Sequence, residues 1–541
     1  MMPASDERYC DDGFTESSER APLLPESPNA SPSPSSHARG TGLHGIESSV
    51  DSRADTVPTP LLQRPGVIII ILYIIVFVVS ASGGFQNISM TRIFEDILCR
   101  QYYDRGGDNQ DPIKEDMCKI NAIQSKLAYL FAIQASLNAG ASMLTALPWG
   151  IAADKIGRRP VFAIGLIGMG IALLWVIVVG WFYPTLSPRL IWLSPISYLL
   201  GGGNPVLIAT ITSMVVDVVP ESERSASFMR LHGASMVGNL ISPALASALM
   251  TSAGPWPPIV LAFFLLTLPA LAIFLIPESL KKTRHRLGSR GTFKAQLAQS
   301  VNKLIKSANL FVSTSIIIIL LITMLQLSLI LSTLQFLSQF ALKRYYIPLA
   351  KTGYIQSTYS AVFIAVSFFI LPFISSAALK PAAPSFLHLN NNKQRDLLFA
   401  RVSYLVCIIA TFIFGLSTSL LVFIFGLVIL AFGASGDGFL KSIATLYVTA
   451  KQRFRLFTIL GLATIASDVW VSPSLAALFS LGMRLGGVWT GLPYFGLSGV
   501  CVLMFLLALF LDLPSSPVIA DAESDEESDE EVGEHERSGL E

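Results

Sequence analysis

The sequence predicts an all-α membrane protein with 12 transmembrane helices in two six-helix bundles. Of its 541 residues, 52% are apolar and 14% are charged, against about 25% charged residues in an ordinary soluble domain. Apolar segments of membrane-spanning length recur between residues 67 and 513. The longest interruption, residues 277–309, divides them into two blocks of similar length. Equal blocks predict a duplicated six-helix unit.

The amino-terminal residues 1–64 are rich in Ser, Pro and Gly and carry 10 acidic and 5 basic residues. Such a segment buries too little apolar surface to offset the entropy lost on ordering, so we expect a disordered cytoplasmic tail. Glu19, Leu23 and Leu24 fit an acidic dileucine signal for a sorting adaptor, although so short a motif also arises by chance. Residues 514–541 carry 11 acidic residues and 1 Arg and predict a second, acidic cytoplasmic tail.

Between the tails lie twelve apolar segments, and about 20 helical residues suffice to cross a hydrocarbon core of about 30 Å. They cover residues 67–86, 127–149, 160–182, 190–216, 227–250, 258–276, 310–336, 353–375, 402–417, 419–446, 457–481 and 490–512. The predicted domains are an amino-terminal bundle (67–276), a basic cytoplasmic central loop (277–309) and a carboxy-terminal bundle (310–513). With a cytoplasmic amino terminus, 19 Lys and Arg residues fall in inside loops and 10 in outside loops. This excess predicts that both termini are cytoplasmic.

Motifs for ATP hydrolysis or metal chemistry are missing from the sequence. It contains no GxxxxGK[ST] phosphate loop, no HExxH and no GxSxG, and its five cysteines lack metal-ligand spacing. We therefore expect no enzymatic activity, cofactor, metal site or nucleic-acid partner, and a lipid bilayer as the surroundings.

The loop after the second predicted helix has the most specific pattern. It reads G-x-x-x-D-K-x-G-R-R and comprises Gly150, Asp154, Lys155, Gly157, Arg158 and Arg159. This pattern, in a cytoplasmic loop of a twelve-helix chain, resembles the signature of the major facilitator superfamily. The resemblance implies secondary transport by alternating access, with this loop as a conformational latch and Asp217 and Arg224 among its partners at the end of helix four. Alternatively, the bases only set topology.

Finer motifs resemble fungal twelve-helix metabolite and drug transporters of that superfamily. They are the Cys-Arg-x-Tyr-Tyr run from Cys99, the Pro-Glu-Ser run from Pro277 and the Gly-Gly-Val-Trp run from Gly486. In helix five, Gly238 and Pro243 keep part of an element found in drug–proton antiporters. A small-residue packing face is the alternative for these two residues.

Ionisable residues within predicted spans are costly and therefore informative. Asp437 and Lys441 lie four positions apart on helix ten, and Asp468 lies near the middle of helix eleven. They form either a proton-coupling site or an intramembrane ion pair that holds the two helices together. Polar neutral residues predict the substrate cavity, and these are Gln134, Asn138, Asn204 and Gln326. With few charges at this depth, an apolar or aromatic organic substrate is favoured over a multiply charged anion.

Two features concern the predicted external side. Cys99 and Cys118 lie 19 positions apart in one external loop, where a disulfide or two free thiols are possible. Asn87 begins an Asn-Ile-Ser glycosylation sequon, but it lies too close to the predicted membrane boundary for its use to be expected.

The sequence thus predicts a proton-coupled exporter of a small organic compound, such as a secondary metabolite or drug-like molecule, in the plasma or vacuolar membrane. The alternatives are a proton-linked importer of a small organic nutrient and a transporter-like nutrient sensor that does not transport. The sequence leaves the choice between them open.

Overall fold

A computed structural model describes residues 65–103, 115–220, 223–275, 313–377, 392–434, 436–448 and 453–513. Within these residues the chain is helical and has no β-strand. The two predicted tails, with Glu19, Leu23 and Leu24, and the central loop 277–309 lie outside the described residues. So do the side chains of Asp154, Arg224 and Asp437.

The first half of the chain contains helices α1 to α6. They are α1 (Pro65–Tyr102), α2 (Asn121–Ile156), α3 (Arg158–Trp181), α4 (Gly203–Val218), α5 (Arg224–Ala253) and α6 (Trp256–Ala272). A 3-10 turn, Glu115–Lys119, precedes α2, and a longer 3-10 segment, Pro188–Leu199, precedes α4.

The second half contains helices α7 to α12, two of which are composite. They are α7 (Thr314–Tyr345), α8 (Leu349–Ala365 and Leu371–Ala377, joined by the π-helix Val366–Ile370), α9 (Asn392–Leu416), α10 (Leu420–Ala434 and Gly436–Ala444), α11 (Arg453–Leu485) and α12 (Leu492–Leu509). We refer to these six helices as the second half and to α1–α6 as the first half.

Within the described residues, eleven segments are long and apolar enough to cross a membrane. The remaining predicted span corresponds to α7, a helix of 32 residues whose apolar stretch is the shorter Thr314–Gln326. The helical membrane class is therefore confirmed, and eleven of the twelve predicted spans meet the length and apolarity required.

Helix α1 is much longer than the predicted span 67–86, because it continues to Tyr102. The prediction ended the helix at polar residues, which were taken for an external loop. Glu95, in this extension, is fully buried and accepts hydrogen bonds from Arg92 and Gln124, both at 2.7 Å. Pairing within the helix and with α2 allows polar residues to continue a helix that hydropathy alone would end.

The fourth predicted span, 190–216, is wrong as a single continuous helix. Gly201, Gly202 and Gly203 have φ values of +87°, +79° and +70° and separate the 3-10 segment from α4. L-residues with a Cβ rarely adopt this conformation. A Cβ on Gly201 would also overlap the backbone of Gly165 in α3, so the break lets the chain pack directly on its neighbour.

Buried apolar side chains form two main clusters. One runs from Ile68 to Ile273 and belongs entirely to the first half, and the other consists mainly of residues from Ile316 to Leu511. Ala128 and Ala132 of α2 belong to the second cluster. Each half therefore has its own packed interior, and α2 contacts the interior of the other half.

Successive helices run in alternating directions, so the bundle has two ends. We call the end at which α1 begins the Pro65 face and the end at which α1 finishes the disulfide face. The disulfide face carries Cys99 and Cys118, which are joined by a disulfide bond.

Candidate functional site

A cavity of about 1230 Å³ lies between the two halves. At its inner end it reaches Thr91 of α1 and Gln356 of α8. At its outer end it is lined by Phe228 near the start of α5 and by Arg395 and Asp396 near the start of α9, which lie at the Pro65 face. The cavity therefore extends from the middle of the bundle towards the Pro65 face.

Three of the four predicted cavity residues line this space, namely Gln134, Asn138 and Gln326. Gln134 donates a hydrogen bond from Nε2 to Ser194 Oγ at 3.2 Å. Asn204 is not among the described lining residues and is exposed at the start of α4. The glycine break before α4 places Asn204 away from the cavity.

At the disulfide face the cavity is closed first by α5 against α8. Pro243 lacks a backbone N–H, so the carbonyl of Asn239 loses its helical donor. Ser360 Oγ of α8 donates to this carbonyl at 3.4 Å, and the backbone N–H of Ala244 donates to Ser357 Oγ at 3.1 Å. Two serines of the second half thus bind backbone groups next to the proline of the first half.

Gly353 lets the two helices approach at the same place. A Cβ on Gly353 would overlap the backbone oxygen of Pro243 and Ser247 Oγ. Any other residue would have to push α8 away from α5. The sequence analysis missed Gly353, Ser357 and Ser360, although their spacing at positions i, i+4 and i+7 puts small residues on one helix face.

The second closing contact joins α2 to α11. Asn121 donates from Nδ2 to the carbonyl of Met483 at 2.8 Å, and Ser125 and Ser480 join their hydroxyl groups by a hydrogen bond. We call the α5–α8 and α2–α11 contacts together the seal.

The disulfide-linked turn Glu115–Lys119 adds contacts to the second half beside the seal. Glu115 Oε1 accepts a hydrogen bond from the backbone N–H of Leu349 at 3.0 Å, and Lys343 Nζ donates to the carbonyl of Lys119 at 2.7 Å. Because Cys118 is bonded to Cys99, the turn is covalently tied to α1 while it contacts α7 and α8.

The signature loop lies at the Pro65 face. Gly157, with φ +115°, is the single residue between α2 and α3, and Gly150 lies in the last two turns of α2. Arg158 forms an ion pair with Asp217 of α4 and donates to the carbonyl of Ser213 at 2.6 Å. The guanidinium of Arg159 lies 5.0 Å from the ring centre of Phe274, and Lys155 is exposed. These contacts of Arg158 and Arg159 stay within the first half.

The predicted ionisable residues of α10 and α11 lie apart from the cavity wall. Lys441 and Asp468 are half-buried, and neither is among the described residues that line the cavity. The backbone of Asp437 lies in α10, next to the lining residue Gly438.

Two further predicted residues lie in the packed interior. Gly238 brings α5 against α1, since a Cβ there would lie 2.6 Å from the carbonyl oxygen of Phe77. Asn87 lies within α1 and lines the cavity, where an attached glycan would have to occupy the space between the halves.

Residues 72–472 match the family profile described as Major Facilitator Superfamily, which covers more than half of the chain. The chain belongs to the Major Facilitator Superfamily. Members of this superfamily are membrane transporters, and the resemblance drawn from the signature loop is thereby confirmed.

Fungal relatives within the superfamily cover most of the chain. The "MFS efflux pump atnC" of Emericella nidulans is 28% identical over 436 residues, which are 78% of this chain and 83% of the relative. The "Efflux pump ustT" of Aspergillus flavus is 25% identical over 414 residues, or 73% of this chain and 78% of the relative.

The fold is also found in solved structures of superfamily members. A D-xylose–proton symporter superposes with a TM-score of 0.58 at 12% identity and covers 83% of this chain and 98% of its own. This likeness supports the helical architecture. With its cavity between two halves and a seal at one end, the superfamily fold of this chain can admit a small molecule from the Pro65 face.

Proposed function

We propose that this chain exports a small organic compound from the cytoplasm by alternating access. The observation that supports this proposal is the cavity between the halves, which extends towards the Pro65 face and is closed by the seal at the disulfide face. The relatives named efflux pumps support the direction of transport. Substrate would enter from the Pro65 face, and release would require the seal to open.

The Pro65 face is assigned to the cytoplasm because the predicted loops on that side carry 19 of the 29 loop Lys and Arg residues. Both termini then lie in the cytoplasm, and the membrane is the plasma membrane or the vacuolar membrane. In either case the seal separates the cavity from the compartment into which the compound is released.

A latch at the Pro65 face would stabilise the opposite conformation, in which the cavity opens at the disulfide face. The ion pair of Arg158 with Asp217 holds the signature loop against its own half. Asp154 and Arg224 complete the proposed latch. Closing the Pro65 face would bring this group against the second half and compensate for the opening of the seal at the disulfide face.

Proton movement is the proposed source of energy, with Asp437, Lys441 and Asp468 as the coupling group. Replacing Asp437 or Asp468 by Asn removes a carboxylate that can bind and release a proton while keeping its size. We expect Asp437→Asn or Asp468→Asn to abolish the dependence of flux on a pH gradient across proteoliposomes. If flux keeps its pH dependence in both variants, these residues are not the proton carriers, and an ion pair that holds α10 and α11 together is the better interpretation.

The substrate and the direction are tested by comparing metabolites inside cells and in the medium between the source strain and a strain lacking this chain. Export predicts a compound that is retained inside and depleted outside, and that returns to normal when the wild-type chain is restored. A nutrient left in the medium would contradict export and indicate uptake. No difference under several growth conditions would contradict transport and favour a sensor.

A further inference from the structure

The wall of the cavity is unusually rich in side-chain amides. Eight Asn and Gln residues line it among the described residues, five from the first half and three from the second. An amide side chain offers both a donor and an acceptor without a charge. The polar part of the wall is therefore suited to neutral hydrogen-bonding groups.

Gln326 of α7 presents one unused polar atom to the cavity. Its side chain is 1% exposed, and Tyr404 donates its hydroxyl to Oε1 at 3.2 Å. Nε2 is buried without a hydrogen-bond partner. Gly436 provides the clearance beside it, since a Cβ there would lie 3.3 Å from Nε2. A buried N–H without an acceptor is destabilising, so this donor is suited to a carbonyl group of a ligand.

Asn138 of α2 provides the complementary group from the other half. Its Oδ1 is buried without a hydrogen-bond partner and belongs to a residue of the cavity wall. Gln134, one turn earlier on the same face, is already held by Ser194. A ligand N–H or O–H would satisfy Asn138 in the same way that a ligand carbonyl satisfies Gln326.

Charge in the wall is balanced. Among the described lining residues, Arg395 and Asp396 carry opposite charges and are paired at 2.8 Å near the Pro65 face. Ser442 donates a further hydrogen bond to Asp396 at 2.7 Å. An organic ion would leave water for a wall that holds no uncommitted opposite charge among these groups, which is unfavourable.

The rest of the wall is aromatic or contains methionine. Phe131, Phe228, Phe363 and Phe439 supply flat apolar surfaces, and Met229 lies at the same wall. Rings and alkyl groups pack well on such surfaces, and methionine adapts to irregular shapes.

We propose that the compound carried in this cavity is an uncharged molecule with aromatic surface and with amide or lactam groups, whose carbonyl binds Gln326 Nε2 and whose N–H binds Asn138 Oδ1. This inference rests on the proposed transport function and specifies its substrate class. Contact with both halves at once would let such a ligand respond to their relative movement.

Three probe compounds test this inference on the purified full-length chain by isothermal titration calorimetry. They are N-benzoylphenylalanine benzylamide, the corresponding benzyl ester and free N-benzoylphenylalanine. The first two differ by one N–H, and the third carries a carboxylate. We expect the benzylamide to bind about fivefold or more tightly than the ester, as the loss of one hydrogen bond implies, and the carboxylate to bind most weakly.

Two variants separate the proposed roles. Asn138→Leu should abolish the difference between amide and ester, because it removes the acceptor for the N–H that distinguishes them. Gln326→Leu should weaken both neutral compounds by a similar factor, because both keep the carbonyl. Gln339→Leu is the matched control, since Gln339 is also a buried glutamine of α7 but is not among the described residues of the cavity wall. It should leave binding unchanged.

Equal binding of amide and ester by the wild-type chain, tighter binding of the carboxylate, or no binding of any probe at its solubility limit would each overturn the inference. Binding is measured without a gradient, so the proposed transport function is tested separately. A chain that binds the amide selectively but moves no solute in proteoliposomes would contradict the transport proposal alone. Transport of an organic ion without amide selectivity would contradict this inference alone.

Discussion

Along α8, Gly353 and Ser357 lie against α5, whereas Tyr359 and Phe363, less than two turns further on, line the cavity. The seal uses glycine, serine hydroxyls and backbone groups in close contact. The cavity wall uses large rings and amides, some of whose polar atoms have no partner. We infer that the seal is sensitive to added volume, whereas the cavity is sensitive to the loss of hydrogen-bonding groups.

The seal should respond most strongly to a single methyl group on Gly353. In Gly353→Ala the new Cβ overlaps α5, and inserting a methyl group into a close contact costs about 1–3 kcal/mol. This corresponds to an increase of roughly 5- to 150-fold in the population with an open disulfide face. The measurement is the rate at which a membrane-impermeant maleimide, added to intact cells, labels a Thr91→Cys reporter in the cavity.

Gly140→Ala is the matched control for this experiment, because a Cβ on Gly140 has no atom within 4 Å. It should label at the rate of the reporter chain alone. Equal labelling of the Gly353 and Gly140 variants would show that tight contact at Gly353 does not hold the disulfide face closed.

A smaller effect is expected from the serines of α8. The pair Ser357→Ala and Ser360→Ala leaves the N–H of Ala244 and the carbonyl of Asn239 without their α8 partners. Water from the cavity can replace part of the loss, so we expect a cost of about 1–2 kcal/mol and a labelling rate roughly 5- to 30-fold higher. The same reporter measures it.

A double-mutant cycle can assign the effect of Ser360 to the proline. Pro243→Ala restores a backbone N–H that can donate to the carbonyl of Asn239 within α5. Ser360→Ala should therefore cost less in the Pro243→Ala chain than in the wild type, by about 0.5–1 kcal/mol. Additive effects of the two substitutions would contradict the proposed role of Ser360.

The α2–α11 contact should matter least for any single change. Asn121→Ala removes one hydrogen bond to the carbonyl of Met483, worth about 1 kcal/mol. We expect reporter labelling to rise by about fivefold. An increase larger than that of Gly353→Ala would reverse the order of the two contacts and make α2–α11 the dominant part of the seal.

The sequence could predict features that depend on local pattern. Apolar runs gave the helices, and the loop around Gly157 gave the family. Gln134, Asn138 and Gln326 were found because an amide within an apolar run stands out. Asn204 was misplaced because hydropathy does not register the backbone turn made by three consecutive glycines.

The seal could not be predicted in the same way. Ser357 meets Ala244 across 113 positions of sequence, and nothing in either segment specifies that pairing. Small residues at helical spacing occur in many membrane helices, so Gly353 gains its importance only from what lies opposite. Glu95 was missed for a related reason, since its partner Gln124 belongs to the next helix.

Helix α1 is 38 residues long, or about 57 Å at 1.5 Å per residue. Its midpoint coincides with Gly84, where a Cβ would overlap Ser242 of α5. The helix is thus a lever whose pivot is its tightest point of contact. Rotation by about 10° about that point would displace each end by about 5 Å, given arms of about 28 Å. Hydrogen bonds at the disulfide face fail after about 1 Å of separation, so a slight turn at the pivot is amplified into a complete break at the rim.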